Sequence, residues 1–154
     1  MKPTREARVH IRRAIARDAE AIARLAGAAA AEDGDISGLD ADRIRLHAFG
    51  ANSLFEAWVA QTKPQAPILG HAIITKSYDV RRACPSLVLC QLYVVPEQRR
   101  GGLARKLMSA VARRARDLGA RELAITTGVG NDVAQRFFAA VGARPQQAAV
   151  FMMS

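Results

Sequence analysis

Hydrophobic positions change period several times along the chain, and each change marks an element. Val9 and Ile11 alternate with basic residues in "VHIRRA", which predicts a first strand. "DAEAIARLAGAAAA" places Ile22, Leu25, Ala26 and Ala29 at helical spacing, with Asp18 at the N-cap. A short helix is predicted from "DADRIRLHAF", with Asp40 at its start. The period then becomes that of strands: "SLFEAWVAQ", "ILGHAIITKSY" and "SLVLCQLYVV", joined by "TKPQAP" and "DVRRACP", predict an antiparallel meander. Leu103, Leu107, Val111 and Ala115 recur every fourth residue, predicting a helix that ends near Gly119. "ELAITTG" predicts a fifth strand, "NDVAQRFFAAVGA" an amphipathic helix ending at Gly142, and "AAVFMM" a last short strand. No repeat or linker interrupts the series, so residues 1–154 are expected to form a single α+β domain.

Composition narrows the class without naming a function. Half of the residues are apolar and 24% charged, a globular balance. The net charge is +9, nearly all from arginine, since lysine occurs only at Lys2, Lys63, Lys76 and Lys106. Such an excess favours a polyanionic partner, whether nucleic acid, membrane surface or a phosphorylated small molecule. A GC-rich genome produces the same arginine and alanine abundance. No apolar run is long enough to span a membrane, and the N-terminal arginines lack the apolar stretch of a secretory signal. Glu6 and Asp18 argue against a transit peptide. Cys84 and Cys90 stand six apart on one expected strand, on the order of 20 Å, too far to bridge. Free thiols without an export signal point to the cytoplasm. No metal site is expected.

The junction "PEQRRGGLARKLM" carries the chemistry. It joins a strand to a helix with Arg99, Arg100, Gly101 and Gly102, and no Ser, Thr, Asp or Asn is present to cap the helix. An uncapped start leaves up to four amides unpartnered and about half a positive charge. Glycines let an anion approach closely, and arginines add fork-shaped donors suited to phosphate. The segment therefore specifies a pyrophosphate cradle in which the ligand caps the helix. A P-loop requires Lys-Ser/Thr after the last glycine, where Leu103-Ala104 stand; a dinucleotide-binding turn requires a different glycine spacing. Arg99-Arg100-Gly101-Gly102-Leu103-Ala104 fits the acyl-CoA form Arg/Gln-x-x-Gly-x-Gly/Ala. A glycine-rich turn with solvated arginines is the plainer reading of the same residues.

Three pieces in order make the chain resemble the GNAT superfamily of acyl-CoA-dependent N-acyltransferases. "QLYVVPEQRRGGLARKLM" resembles that family's fourth strand, CoA loop and third helix. "GARELAITTGVGNDVAQRFFAAVGA" resembles its following strand and helix, and "HIRRAIARDAEAIARLA" its opening strand and helix. The resemblance implies a mixed central sheet with splayed fourth and fifth strands and about four flanking helices. It implies acetyl-CoA as co-substrate, with the backbone of Leu92, Tyr93 and Val94 along the pantetheine. Amides from Arg100 through Gly101, Gly102, Leu103 and Ala104 would hold the pyrophosphate, assisted by the Arg99, Arg100 and Arg105 side chains. Asn131, Ala134 and Phe138 would flank the reactive end. The loop "SYDVRRACPS" most resembles the diamine (spermidine/spermine) branch, where dimers are common, and "AAVFMMS" offers an apolar edge to a second copy.

The same branch places a Glu-Asp pair where Cys90 and Gln91 stand, and many relatives have Tyr, proposed as the acid, where Phe138 stands. The usual base and acid are thus both missing. Tyr93, Tyr78, Asp79, His71 and Glu56 are substitutes, each more simply read as a packing or structural residue. Cys90 is read as a small buried residue rather than a nucleophile, having no evident His/Asp partner. Glu32, Asp33, Asp35, Asp40 and Asp42, five of fourteen carboxylates, fall where the family's acceptor site lies and would suit a cationic amine. Asp33, Asp35, Tyr78, Asp79, Cys90 and Gln91 are the expected acceptor-side residues. The leading expectation is an N-acetyltransferase acting on a primary amine: a polyamine, lysine-like or aminoglycoside acceptor. A non-catalytic acyl-CoA-binding domain is the alternative. Few aromatics and dispersed arginines argue against nucleic acid.

Overall fold

The computed structural model describes residues 8–154; Lys2 and Glu6 lie outside the described residues. Strand β1 is His10–Arg13, helix α1 Ala19–Glu32, α2 Ala41–His47, β2 Glu56–Gln61, β3 Gly70–Asp79 and β4 Cys84–Val94. Helix α3 is Leu103–Asp117, β5 Leu123–Ile125 and α4 Asp132–Ala140. The five strands form one open sheet in the order β1-β2-β3-β4-β5. Consecutive strands are antiparallel except the last pair, because α3 carries the chain back across the sheet before β5 joins β4 in parallel. The fold class expected from the sequence is therefore the one observed.

Two apolar clusters cover the two faces of the sheet. On one, Ile22 and Leu25 of α1 and Ile44 of α2 pack with Val59, Ile73 and Tyr93. On the other, Leu103, Leu107, Val111 and Ala115 of α3 pack with Ala60, Ala72, Ile74 and Leu89. The every-fourth-residue stripe of α3 is thus its buried face. Gly70 is required by close approach, since a Cβ there would lie 2.6 Å from the Tyr93 carbonyl oxygen. Asp40 caps α2 by accepting from the Arg43 amide at 2.8 Å. Asp18 precedes α1 as expected but turns its carboxylate back to the Ile15 amide and the Arg12 guanidinium.

The α3 face also holds one buried carboxylate. Glu56 is only 1% exposed and receives Arg114 Nε and Nη2 at 2.9 and 2.7 Å, with Lys76 at 3.1 Å and Arg13 at 3.3 Å. Burial would raise its pKa, but the hydrogen bonds from Arg114 and Lys76 and the charges around it hold it below the usual carboxylate range.

Two sequence expectations fail. "AAVFMM" forms no strand: Val150, Phe151, Met152 and Met153 are all exposed and pair with no other segment. Alanine and methionine bring little preference for extended structure, and a strand without a partner edge gains no ladder hydrogen bonds. Cys90 is not buried either. Both thiols are free and lie on β4, but Cys84 is buried and Cys90 exposed. No helix among the described residues is long and apolar enough to cross a membrane.

Candidate active site

The site begins with an irregularity in β4. Ile73 pairs with Gln91 but Ile74 pairs with Leu89, so Cys90 is an extra residue, a β-bulge. The bulge puts two consecutive side chains on the α1 face. Cys90 Sγ lies 3.6 Å from Thr75 Oγ1, and Gln91 Oε1 lies 2.6 Å from His71 Nε2. Beyond the bulge β4 loses its outer neighbour, because β5 pairs only with Leu87–Leu89. β3 continues to pair with β4 as far as Val94. One edge of β4 from Cys90 to Val94 is therefore open, the splay expected of this architecture.

Strand alternation shows which backbone groups face the gap. The Val95 amide donates to Leu69 O at 3.0 Å, so Val95 points inward to β3. By alternation the peptide groups of Val94 and Leu92 point into the gap, whereas that of Tyr93 points to β3. The Leu92 and Val94 amides are suited to polarising a carbonyl oxygen held along this edge. Val94 and Tyr93 are buried and Leu92 half-buried against the α3 cluster.

At the end of β4 the chain makes a short 3-10 turn, Pro96–Gln98, and enters α3. Gly102 is at the helix N-cap with φ +81°, and no side chain caps the helix. Arg100 also has positive φ, +65°. A non-glycine residue there costs on the order of 1 kcal/mol or more, and such strain gathers at ligand clamps. Arg100, Gly101, Gly102 and Arg105 are exposed, Ala104 is half-buried, and Leu103 is buried as the first apolar anchor of α3. Neither Arg100 nor Arg105 forms an ion pair among the described residues. The open strand edge leading to uncapped amides with free guanidinium groups fits an extended molecule ending in a diphosphate.

Arg99 is differently engaged. Its Nε donates to Val94 O at 2.8 Å, its Nη2 meets Glu32 Oε1 at 2.6 Å, and its guanidinium lies over the Tyr93 ring. The Tyr93 hydroxyl also donates to Glu32, at 3.4 Å. Burial and then the Glu32 charge push the Tyr93 phenol up, so it stays protonated. This cluster ties the C-terminal end of α1 to the cradle, and sequence reasoning missed it: Glu32 and Arg99 are 67 residues apart and nothing local links them. Because both partners are largely exposed, their ion pair contributes only about 0–1 kcal/mol. Glu32→Gln is therefore expected to move the melting temperature by no more than a few degrees. It should tighten binding of a diphosphate-bearing ligand about two- to fivefold in a titration, roughly 0.4–1 kcal/mol, because a negative charge leaves the turn and Arg99 remains held by Val94 O.

The remaining expected residues divide. Asn131 caps α4, its Oδ1 accepting from the Ala134 amide at 3.0 Å. Phe138 is half-buried against the α3 cluster and stacks edge-on with Phe137 at 5.4 Å. Asp33 and Asp35 are exposed just past α1, beside Glu32. Tyr78 and Asp79 are at the other end of β3, where Tyr78 pairs with Pro85 and is 57% exposed. Tyr78 is five positions along β3 from Ile73, the partner of Gln91, so the two places are about 17 Å apart. Asp79 accepts from the Arg81 and Arg82 amides and pairs with Arg82, ordering the hairpin loop. Glu56 is on the α3 face with its charge already compensated, so it is not positioned as a base near Gln91. His71, on the α1 face, is fully buried and uncharged; burial lowers its pKa to about 4.

A five-stranded sheet whose β4 is unpaired on its outer side beyond Leu89 and leads into an uncapped α3 is the architecture of an acyltransferase. The acetyltransferase (GNAT) family pattern matches residues 15–143, and the chain belongs to that family. Acetyl-CoA is the co-substrate of the family's acetyltransferases. No curated protein sequence matches the chain. Among solved structures it resembles a probable acetyltransferase (TM-score 0.81, 22% identity, covering 94% of this chain and 98% of that one). It also resembles an aminoglycoside acetyltransferase from an uncultured soil metagenomic sample, in complex with sisomicin (TM-score 0.77, 19% identity, 95% of each chain). A third is AAC(6')-Iy bound to the bisubstrate analogue CoA-S-monomethyl-acetylneamine (TM-score 0.72, 21% identity, 96% and 98%).

Proposed function

We propose that this enzyme moves the acetyl group of acetyl-CoA directly to the primary amine of a cationic acceptor. The observation that carries the reading is the end of β4–β5 pairing at Leu89 and Ile125, immediately before an uncapped α3. The coenzyme would lie along the edge of Leu92 and Val94, facing their amides while Arg99 holds the Val94 carbonyl, with its diphosphate on the amides from Arg100 to Ala104 and near Arg105. Phe138 and the Asn131–Ala134 turn would border its reactive end. An alkyl ammonium has a pKa near that of lysine, about 10.4, so the acceptor must lose a proton before it attacks. Cys90 and Gln91 stand where the base would be needed, and solvent at the exposed Cys90 is the available route. Holding amine and thioester together supplies on the order of 7–11 kcal/mol without a dedicated acid or base.

Glu32, Asp33 and Asp35 support a cationic acceptor, since they lie together at the α1 end of the Tyr93–Arg99 cluster. Polyamines, lysine side chains and aminoglycosides share that chemistry, and the structural likeness to enzymes described as aminoglycoside acetyltransferases is in keeping with it. A non-catalytic acyl-CoA-binding domain is the second reading, favoured by Gln91 and Phe138, neither of which can transfer a proton. Incubation with acetyl-CoA and each acceptor class, followed by free thiol, separates them. Acceptor-dependent thiol release is expected. Tight CoA binding with no release for any acceptor would establish the binding domain. The exposed run Val150–Met153 supports a homodimer in which a second copy covers it, which sedimentation at two concentrations would test.

A further inference from the structure

His71 is the most thoroughly buried polar group on the α1 face, with no solvent exposure, and its Nδ1 has no hydrogen-bond partner. Its Nε2 lies 2.6 Å from Gln91 Oε1, the one hydrogen bond of the ring. Two tautomers are conceivable, and their costs differ. With the proton on Nδ1, a buried N–H would be left without an acceptor. With the proton on Nε2, the orphan is only a lone pair, and the short contact becomes an N–H donating to the amide oxygen. A buried unsatisfied donor costs about 1–3 kcal/mol and is the rarer kind of orphan. The proton therefore belongs on Nε2, and Gln91 is fixed with its oxygen toward His71.

That choice determines what Gln91 shows to the site. Its oxygen is occupied, so its two amide hydrogens are what remains, and the amide nitrogen makes no bond among the described residues. Gln91 is half-buried, next to exposed Cys90 at the bulge and two residues before Tyr93, on the face where α1 ends in Glu32. Rotating the amide would set Gln91 N–H against His71 N–H, so the orientation is locked by the ring rather than by solvent.

We infer that His71 acts as a positioning residue, holding Gln91 as a hydrogen-bond donor to the acceptor, and that the enzyme selects amines carrying a neighbouring hydroxyl or carbonyl oxygen over plain alkyl amines. The inference rests on the proposed acetyl transfer and narrows its acceptor class. An ammonium cannot accept from an amide N–H, whereas a hydroxyl or carbonyl oxygen can. Gln91 is half-buried, so water meets its free N–H groups until an acceptor oxygen displaces it, and the preference they give is that of one net hydrogen bond. The carboxylates at the end of α1 take the positive charge, and Gln91 reads the oxygen beside it.

Two sets of measurements test this, the first needing no turnover. Imidazole nitrogen chemical shifts of the full chain should show His71 neutral with the proton on Nε2 at pH 7. Gln91→Glu should move its titration up from about 4, because a carboxylate would then face Nε2. In the second, thiol release from acetyl-CoA should favour an amino alcohol over the diamine of equal length by about two- to tenfold in kcat/KM. His71→Leu should lose most of that preference with the KM for acetyl-CoA unchanged, His71→Gln should restore part of it by supplying an amide donor near the Nε2 position, and Gln91→Glu should invert it. A proton on Nδ1, or an acceptor order unchanged in Gln91→Glu, would overturn the inference. Absence of thiol release with every acceptor would count against acetyl transfer instead, leaving the nitrogen spectra to decide the His71–Gln91 arrangement.

Discussion

Gly102→Glu is expected to weaken CoA binding at least about 100-fold, roughly 2.7 kcal/mol, while the protein stays folded. Gly102 has φ +81°, and a Cβ built there meets no atom within 4 Å. The substitution therefore brings backbone strain of about 1–2 kcal/mol but no clash. Part of that strain is offset, since a carboxylate at a helix N-terminus is itself favourable by about 0.3–1 kcal/mol. The same carboxylate would occupy the amides proposed for the diphosphate and repel it. Gly102→Ala separates the two effects: it keeps the strain and adds no charge, so its loss should stay within about tenfold. Calorimetric titration with CoA, beside a thermal melt of each variant, provides the comparison. Full affinity in folded Gly102→Glu would remove the cradle and the function built on it.

Glu56→Ala is expected to be strongly destabilising, by about 3 kcal/mol. The buried carboxylate holds Arg114 by two hydrogen bonds and joins β2 to both α3 and β3. Removing one partner of a buried pair costs about 3–5 kcal/mol. Arg13 and Lys76 are half exposed and water relieves them, so the lower end applies here and Arg114, 21% exposed, accounts for most of it. For a chain of this size about 3 kcal/mol lowers the melting temperature by roughly 6–12 °C. Glu56→Gln, which keeps a hydrogen-bond acceptor and loses the charge, should fall by less. The pH dependence has a definite sign. A carboxyl held below its unfolded value of about 4.3 stabilises the fold above that pH and loses the contribution as pH falls through the folded pKa. Wild type and Glu56→Ala should thus melt far apart at pH 7 and approach each other near pH 3. His71 acts in the same direction over a higher window: its pKa falls from 6.5 to about 4 on folding, so the stability it contributes declines as pH drops from about 6.5 to 4. An equal gap between the two proteins at both pH values would show that the carboxylate's charge is not what holds α3.

Local rules made most of the elements legible. Alternation marked the meander, the every-fourth-residue stripe marked α3, and the absence of a capping side chain beside Gly101 and Gly102 marked the turn that defines the cradle. These signals survive because each depends on residues within a few positions, and the apolar periodicity must match the face that is buried. "AAVFMM" shows the limit: its apolar character was readable, but forming a strand depends on a neighbouring edge that no local pattern supplies.

The site was legible in half. The chain itself specified an uncapped, glycine-containing turn between a strand and a helix, bordered by residues Leu92 to Ala104. Only the folded sheet decided the rest. The bulge at Cys90 put Cys90 and Gln91 side by side and exposed a thiol that reads as buried in an ideal strand. Pairing across β3 and β4 brought His71 to Gln91, and α1 brought Glu32 to Arg99 across 67 positions. It also moved Tyr78 and Asp79 to the far end of a hairpin and enclosed Glu56 among three cations. Hydrogen bonds and ion pairs act over about 3 Å regardless of sequence separation, so a side chain's chemistry is settled by which strand and helix lie beside it. Helix periodicity and cap chemistry, by contrast, are already complete within a dozen neighbouring residues.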